Sequence, residues 1–422
     1  MSDGYLKRII DKHLESCLRS TGAVLIEGAK WCGKTRTAEE HAASILYMQD
    51  PDMKEQYMSM AKLKPSELLK GETPRLLDEW QTAPILWDAV RFEVDKRRGV
   101  SGQFILTGST TIPEDEISHS GAGRIARMTM RPMSLFESMD SDGSVSLAKL
   151  FEQPTDISGC SEMSLEQISY CIVRGGWPES VGKDETAAAY KMQDYVNTIA
   201  HTDMSKVDDI KRDPKIVLDI LRSYSRNIST TATMSVIRDD VFGSGSRITE
   251  KTMASYVSAL RRLFVIDDVP AWNPAMRSKT AMRASPKRHL VDPSVATSMF
   301  HSSSQGLIKD LRTMGFLFES LCIRDLKIYS QAADGEIYHY RDRTDLEADA
   351  VIHLRDGRWA AVEVKLGQSE TDEAAKNLLR VREKVDKEKM GAPSFLMVLT
   401  SSGYAYERKD GVFVVPIGCL KD

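Results

Sequence analysis

The chain lacks any cysteine pattern. Its six cysteines (Cys17, Cys32, Cys160, Cys171, Cys322 and Cys419) are scattered, with no C-x-x-C pair. This argues against a zinc ribbon and a disulfide-stapled scaffold and fits a reducing cytoplasm. Long apolar runs are missing too. Nothing approaches the roughly 18 residues of a membrane span, and the N-terminal residues hold no apolar stretch of signal length. There is no internal repeat and no low-complexity tract. Net charge is only −4 over 422 residues, which does not suit a protein that coats nucleic acid with its whole surface. These absences predict a cytoplasmic chain of about two to four domains.

The charge that is present is unevenly placed. Between His201 and Leu290 stand 16 Lys+Arg against 10 Asp+Glu, so the remainder is acidic. Val269 to Val291 carries Arg277, Lys279, Arg283, Lys287 and Arg288 and no acid. A basic stretch in an acidic chain is a candidate polyanion contact.

The strongest motif is Gly28-Ala-Lys-Trp-Cys-Gly-Lys-Thr35, which meets G-x-x-x-x-G-K-[ST] at every fixed position. The apolar run Ala23–Ile26 predicts a buried strand before it, and Arg36–Ala43 a helix after it. Strand, glycine loop and helix is the context in which backbone N–H groups and a helix N-terminus cradle phosphate. Gly28, Ala29, Lys30, Trp31, Cys32, Gly33, Lys34, Thr35 and Arg36 are therefore the candidate nucleotide-binding residues. Lys34 would reach the β- and γ-phosphates of ATP or ADP, and Thr35 would hold Mg²⁺.

Arg75-Leu-Leu-Asp78-Glu79 supplies the matching second motif. Asp78 at a strand tip would accept from Mg²⁺-bound water, and Glu79 would activate the attacking water. A third strand, Gln103–Thr107, ends in Thr107-Gly-Ser109. Either hydroxyl could orient the lytic water; a plain strand-to-turn junction is the alternative. Arg124 and Arg127 follow. In oligomeric ATPases an arginine so placed reaches a neighbour's γ-phosphate, although a surface or internally paired arginine reads the same. Residues 1–20 have helical spacing, and the polar segment between Ser138 and Ser161 reads as a loop.

Gly28–Thr35, Leu76–Glu79, Thr107-Gly-Ser109, Gly123-Arg124-Ile125, Pro132-Met-Ser-Leu-Phe-Glu137 and Gly175-Gly-Trp-Pro-Glu179 together resemble a prokaryotic family of AAA+-type ATPases. Its members carry a C-terminal domain of unknown function related to restriction-endonuclease folds. The resemblance spans nearly the whole chain, with Trp177 where Tyr or Phe is more usual. It implies an α/β multidomain protein: a P-loop AAA+-type ATPase over 1–205, with a helical lid from about 160 to 205. Arg174 is a candidate lid arginine facing nucleotide, structural pairing being the alternative.

Residues 213–268 read as several short helices, ending in the periodic run Thr249–Phe264. Val265–Val269 reads as a strand, and the basic stretch follows it. That order predicts a winged helix over 206–295. Arg247, Lys251, Arg277, Lys279, Arg283 and Lys287 are its candidate DNA contacts; packing or protein binding stays open.

The last part, 296–422, reads as an amphipathic helix at Met314–Leu326, strands at Glu336–Tyr340 and Ala348–His353, then Trp359–Lys365. Asp349, Glu363 and Lys365, with Glu319 on the preceding helix, resemble a PD-(D/E)XK nuclease core. Glu363 and Lys365 share a strand face. The carboxylates would bind Mg²⁺ and the lysine would assist the attacking water.

The whole reads as a cytoplasmic homo-oligomeric ATPase, hydrolysing ATP with Mg²⁺ to act on DNA. A nucleotide-switched regulator or remodeller of a protein partner, with a structural nuclease-like domain, is one alternative. An ATP-gated nuclease is another.

Overall fold

The computed structural model describes residues 4–111, 120–154, 157–208, 210–273 and 285–422. They fall into two compact units. Unit 1 is Met1–Pro132 with Thr202–Lys211 and Ser258–Val265; unit 2 holds the rest.

Unit 1 starts with α1 (Ile10–Ser20). The helix begins later than the spacing predicts; from its first turn the Asp11 carboxylate reaches back to accept the Arg8 N–H at 2.9 Å, just ahead of the helix. Then come β1 (Ala23–Glu27), α2 (Lys34–His41), β2 (Ser44–Tyr47), α3 (Lys54–Leu63), β3 (Arg75–Asp78), α4 (Ile85–Lys96), β4 (Phe104–Gly108) and β5 (Ile125–Thr129). The strands form one parallel sheet in the order β2-β3-β4-β1-β5. A parallel sheet is covered on both faces, which is why β1 and β4 are continuous apolar runs. Trp80 and Trp87, with ring centroids 5.0 Å apart, fill one face together with Leu77, Leu86 and Phe104. Because β1 is flanked by β4 and β5 while the chain runs on to β2, the carboxyl ends of β1, β3 and β4 open at a topological switch point.

In unit 2 the first elements are β6 (Val145–Ser146), α5 (Leu147–Glu152) and β7 (Gly159–Ser161). This corrects the expectation of a loop there. β6 pairs with β14 (Leu420–Lys421), and β7 with β12 (Gly403–Glu407). Next come α6 (Leu165–Arg174), α7 (Glu185–His201), α8 (Pro214–Arg226), α9 (Met234–Gly243), α10 (Glu250–Arg262, in unit 2 as far as Val257), α11 (Pro293–Phe300), α12 (Ser304–Lys309) and α13 (Leu311–Ala332). After them run β8 (Gly335–Arg341), β9 (Glu347–Leu354), β10 (Trp359–Lys365), α14 (Thr371–Lys384), α15 (Lys387–Met390), β11 (Phe395–Thr400), the strand β12 and β13 (Val412–Pro416). The sheet order is β7-β12-β13-β11-β10-β9-β8. β8, β9 and β10 are antiparallel neighbours, and β10, β11 and β13 are parallel.

Two further expectations change. The helices expected as an ATPase lid, α6 and α7, cluster in unit 2, where they pack on α11, α12 and α8. Arg174 is buried and pairs with Asp140 at 2.7 Å, a structural contact. Among the described residues the strand expected at Val265–Val269 forms isolated bridges instead, Ile266 with Leu290 and Val269 with Lys287. The chain here is held to the large sheet: Ala271 bridges His339 of β8, and Trp272 lies 4.8 Å from Trp359 of β10.

The motifs Pro132–Glu137 and Gly175–Glu179 meet Asp292, Ser294 and α13 in a buried hub of unit 2. Asp292 accepts from the Gly176 N–H at 3.0 Å and from Arg324 at 2.8 Å. Trp177 donates to Ser294 at 2.9 Å, and Asp325 takes the Leu135 N–H at 2.9 Å. Gly176 leaves no room for a side chain, since a Cβ would stand 2.1 Å from the Met133 carbonyl. These motifs therefore build the fold.

Candidate functional site

The glycine loop leaves the carboxyl end of β1, which lies between β4 and β5 in the unit 1 sheet. Gly28 approaches β5's end so closely that a Cβ would meet the Met130 carbonyl at 2.1 Å. Gly33 has φ +102, open to glycine at little cost, and it starts α2. Trp31 is left-handed as well, at φ +65, and half exposed. Ala29 and Cys32 are buried. Arg8 braces the loop from outside, donating to the Cys32 carbonyl at 2.7 Å and the Arg131 carbonyl at 2.8 Å. Lys30 is tied to the buried Asp203 at 2.6 Å. Arg36 is exposed and pairs with Glu39 and Glu40 on its own helix.

Lys34 is buried, and its ammonium donates to the carbonyls of Gly28 at 3.0 Å and Ala29 at 2.8 Å. The Thr35 hydroxyl donates to Asp78 Oδ1 at 2.7 Å. Thr107 donates to the same oxygen at 2.6 Å and accepts the Glu79 N–H at 3.0 Å. This follows from the register, which places Leu77 opposite Leu106 and so brings Asp78 beside Thr107. Glu79 sits at φ +55, turned off the strand end. Its Oε2 accepts from Ser109 at 3.0 Å and from Gln81. The structure thus brings Lys34, Thr35, Asp78, Glu79, Thr107 and Ser109 to one place.

Arg124 and Arg127 are exposed. Arg124 pairs with Asp95 at 2.9 Å, and Arg127 lies 4.9 Å from the Trp87 ring centre. Burial pushes the Glu27 carboxyl up, and Arg127 tempers the shift. Sequence reasoning missed Gln81, Arg8 and Asp203. Gln81 is two residues from Glu79 and was open to notice; the other two act over long sequence separations.

Unit 2 holds a second constellation, at a cleft of about 660 Å³ lined among others by Lys287, Arg312, Glu319, Asp349 and Lys365. Glu319 comes from α13, Asp349 from β9, and Glu363 and Lys365 from β10. Lys287 joins them. It was expected as a DNA contact and is instead buried, 2.5 Å from Glu319 and 2.7 Å from Asp349. Asp349 Oδ2 accepts the Val364 N–H at 2.9 Å, and Lys365 is 3.9 Å from Glu363. Burial pushes Glu319 up to about 8, helped by the Asp349 charge. Burial and then Asp349 likewise drive Glu363 well above the carboxylate range. Burial would raise Asp349 too, but the Lys287 ammonium and a hydrogen bond with Glu363 outweigh it and hold Asp349 low.

Arg247 and Lys251 are exposed near the start of α10. Arg277, Lys279 and Arg283 lie outside the described residues.

Comparison with known proteins gives family matches for three stretches of the chain. Residues 20–139 match the family of an AAA domain. Residues 165–306 and 314–420 match two domains of unknown function, DUF8612 and DUF4143. The N-terminal part is therefore P-loop ATPase-like, in an α/β multidomain chain. No curated protein matches. Solved structures that overlay include the Walker-type ATPase of Pyrococcus abyssi, at 15% identity, 71% of this chain and 97% of that one, TM-score 0.43. Another is a RuvB variant of Thermotoga maritima, at 15% identity, 62% and 89% coverage, TM-score 0.26. A third is Drosophila ORC bound to DNA, at 13% identity, 69% and 84% coverage, TM-score 0.18. Among the described residues no helix is long and apolar enough to cross a membrane.

Proposed function

We propose that unit 1 binds ATP with Mg²⁺ and hydrolyses it, and that turnover is coupled to DNA. The observation that carries the hydrolysis is the shared Asp78 oxygen, held by Thr35 at 2.7 Å and Thr107 at 2.6 Å beside the glycine loop. A hydroxyl and a carboxylate, with the remaining ligands from phosphate and water, are the donors that suit Mg²⁺. Thr35 would hold the ion directly and Asp78 through water. When bound, Mg²⁺ neutralises charge on the phosphate oxygens.

The chain's own groups do the rest. Lys34 is poised to exchange two carbonyls for phosphate oxygens. Backbone N–H groups of Gly28 to Thr35 wrap the phosphates. Glu79, fixed by Ser109 and Gln81, takes the proton of the attacking water. Thr107 fixes the backbone of Glu79. Arg124 or Arg127, both exposed, completes the site of a neighbouring copy in a homo-oligomer.

DNA coupling rests on the exposed cations Arg247 and Lys251 at the start of the third of three consecutive helices, α8, α9 and α10, in the order of a winged helix. The order α13-β8-β9-β10-α14-β11 supports a restriction-endonuclease-like fold for the last part. The test is ATP hydrolysis with and without duplex DNA. We expect stimulation by DNA that disappears in Glu79→Gln and weakens in Arg247→Glu with Lys251→Glu. Turnover indifferent to DNA would remove the coupling and favour a nucleotide-switched regulator. No turnover at all would remove the ATPase.

A further inference from the structure

Glu319, Asp349 and Glu363 are the carboxylates a nuclease of this fold would give to a divalent metal. The donor set does not fit one. The Lys287 ammonium is 2.5 Å from Glu319 and 2.7 Å from Asp349, between the two groups a metal would have to bridge. Metal–oxygen contacts for Mg²⁺ need about 2.1 Å, so ion and ammonium compete for one volume. The second oxygen of Asp349 is already taken by the Val364 N–H. Among the described residues no group of three or more His, Cys, Asp or Glu is disposed to hold a metal.

Lys287 is firmly placed. Its backbone exchanges both hydrogen bonds with Val269, each at 2.9 Å. The next residue is fixed as well, since the Arg288 side chain pairs with Asp268 at 2.9 Å and its backbone N–H donates to the Thr230 carbonyl at 2.7 Å. The side chain is 9% exposed, against 12% for Glu319 and 8% for Asp349. Removing an ammonium from such a buried pair leaves unpaired charge, which is strongly unfavourable.

We propose that this cluster is a metal-free centre in which the Lys287 ammonium takes the place of a divalent cation. Lys287 ties residues 285–290 to α13 and β9. Unit 2 keeps the side chains of a nuclease core without metal-dependent phosphodiester cleavage.

The experiment uses the full chain carrying Thr35→Ala, which silences the unit 1 metal site, without nucleotide. Mn²⁺ binding is followed by electron paramagnetic resonance and by thermal unfolding, and cleavage of linear and supercoiled DNA is assayed with Mg²⁺ and Mn²⁺. We expect no bound Mn²⁺, no Mn²⁺-dependent shift in Tm and no cutting. Adding Lys287→Met should lower Tm, and Mn²⁺ should recover part of the loss. Lys287→Arg, which keeps a cation, should stay blind to Mn²⁺. Mn²⁺ binding or DNA cutting by the Lys287 protein, abolished by Asp349→Asn, would overturn the proposal. So would a Lys287→Met chain as stable as its parent. If Lys287→Met fails to fold, the parent and Lys287→Arg decide the question alone.

Discussion

Two sites in this molecule set lysine among carboxylates, and they do so in opposite ways. In unit 1 the Lys34 ammonium rests on two carbonyls, and Asp78 accepts from two hydroxyls. Each charge is held by neutral dipoles. In unit 2 the Lys287 ammonium lies directly against Glu319 and Asp349. A net hydrogen bond between neutral groups contributes about 1 kcal/mol. Breaking a buried ion pair costs about 3–5 kcal/mol. An incoming triphosphate therefore offers Lys34 a better partner than it has, while a metal entering unit 2 must first evict a cation. Residue types are alike in the two sites. What differs is whether their charges are already spent on each other.

The comparison breaks most visibly at Lys34. Lys34→Ala is expected to abolish ATP turnover, measured as phosphate release. Glu79→Gln should lower kcat by roughly 10²–10⁴-fold while nucleotide still binds, since the general base alone is lost. Wild-type turnover in either variant would remove unit 1 as the reactive site.

Next in size is the buried hub. Asp292→Ala removes one of the two carboxylates that hold the buried Arg324 guanidinium, leaving Asp325 at 2.7 Å, and should destabilise unit 2 by about 3 kcal/mol, read as a fall in its denaturant midpoint. A change near zero would mean that Asp325 alone satisfies Arg324.

The third effect is pH-dependent. Glu319 is raised from 4.5 to about 8 in the folded state, so the native chain binds more protons than the unfolded one across that interval. The stability tied to this proton is fully present below about 4.5 and is lost as pH rises through about 8. Glu319→Gln should flatten that part of the stability profile of unit 2. An unchanged slope would show that Glu319 is ionised and salt-bridged throughout. The smallest effect belongs to Arg124→Ala. Its partner Asp95 is exposed, and such pairs add little to stability. Tm should barely move, so a large fall in turnover that depends on protein concentration would mark action on a neighbouring copy.

Much of this was legible in the chain itself. The glycine loop, Asp78-Glu79 and Thr107-Gly-Ser109 are local signals on apolar strands, and parallel pairing brings their tips together. Trp359–Lys365 is legible to the residue because a short, mostly apolar run follows an Asp356-Gly357 turn, and the strand is buried along nearly its whole length. The rest depends on long-range pairing. Val145–Ser146 and Gly159–Ser161 are strands only because Leu420 and Gly403 pair with them, and two or three polar residues announce nothing. Asp203 lies 173 positions from Lys30, so no local pattern links them. Lys287 sits among basic residues and reads as surface charge. Only the bridge to Val269 turns it inward, toward carboxylates 32 and 62 positions away.

The most direct test is a count of Mn²⁺ ions bound by the wild-type chain, by electron paramagnetic resonance, with and without a non-hydrolysable ATP analogue. The account predicts binding only with the analogue, lost in Lys34→Ala and in Thr35→Ala and untouched by Asp349→Asn. Mn²⁺ bound without nucleotide and lost in Asp349→Asn would contradict it.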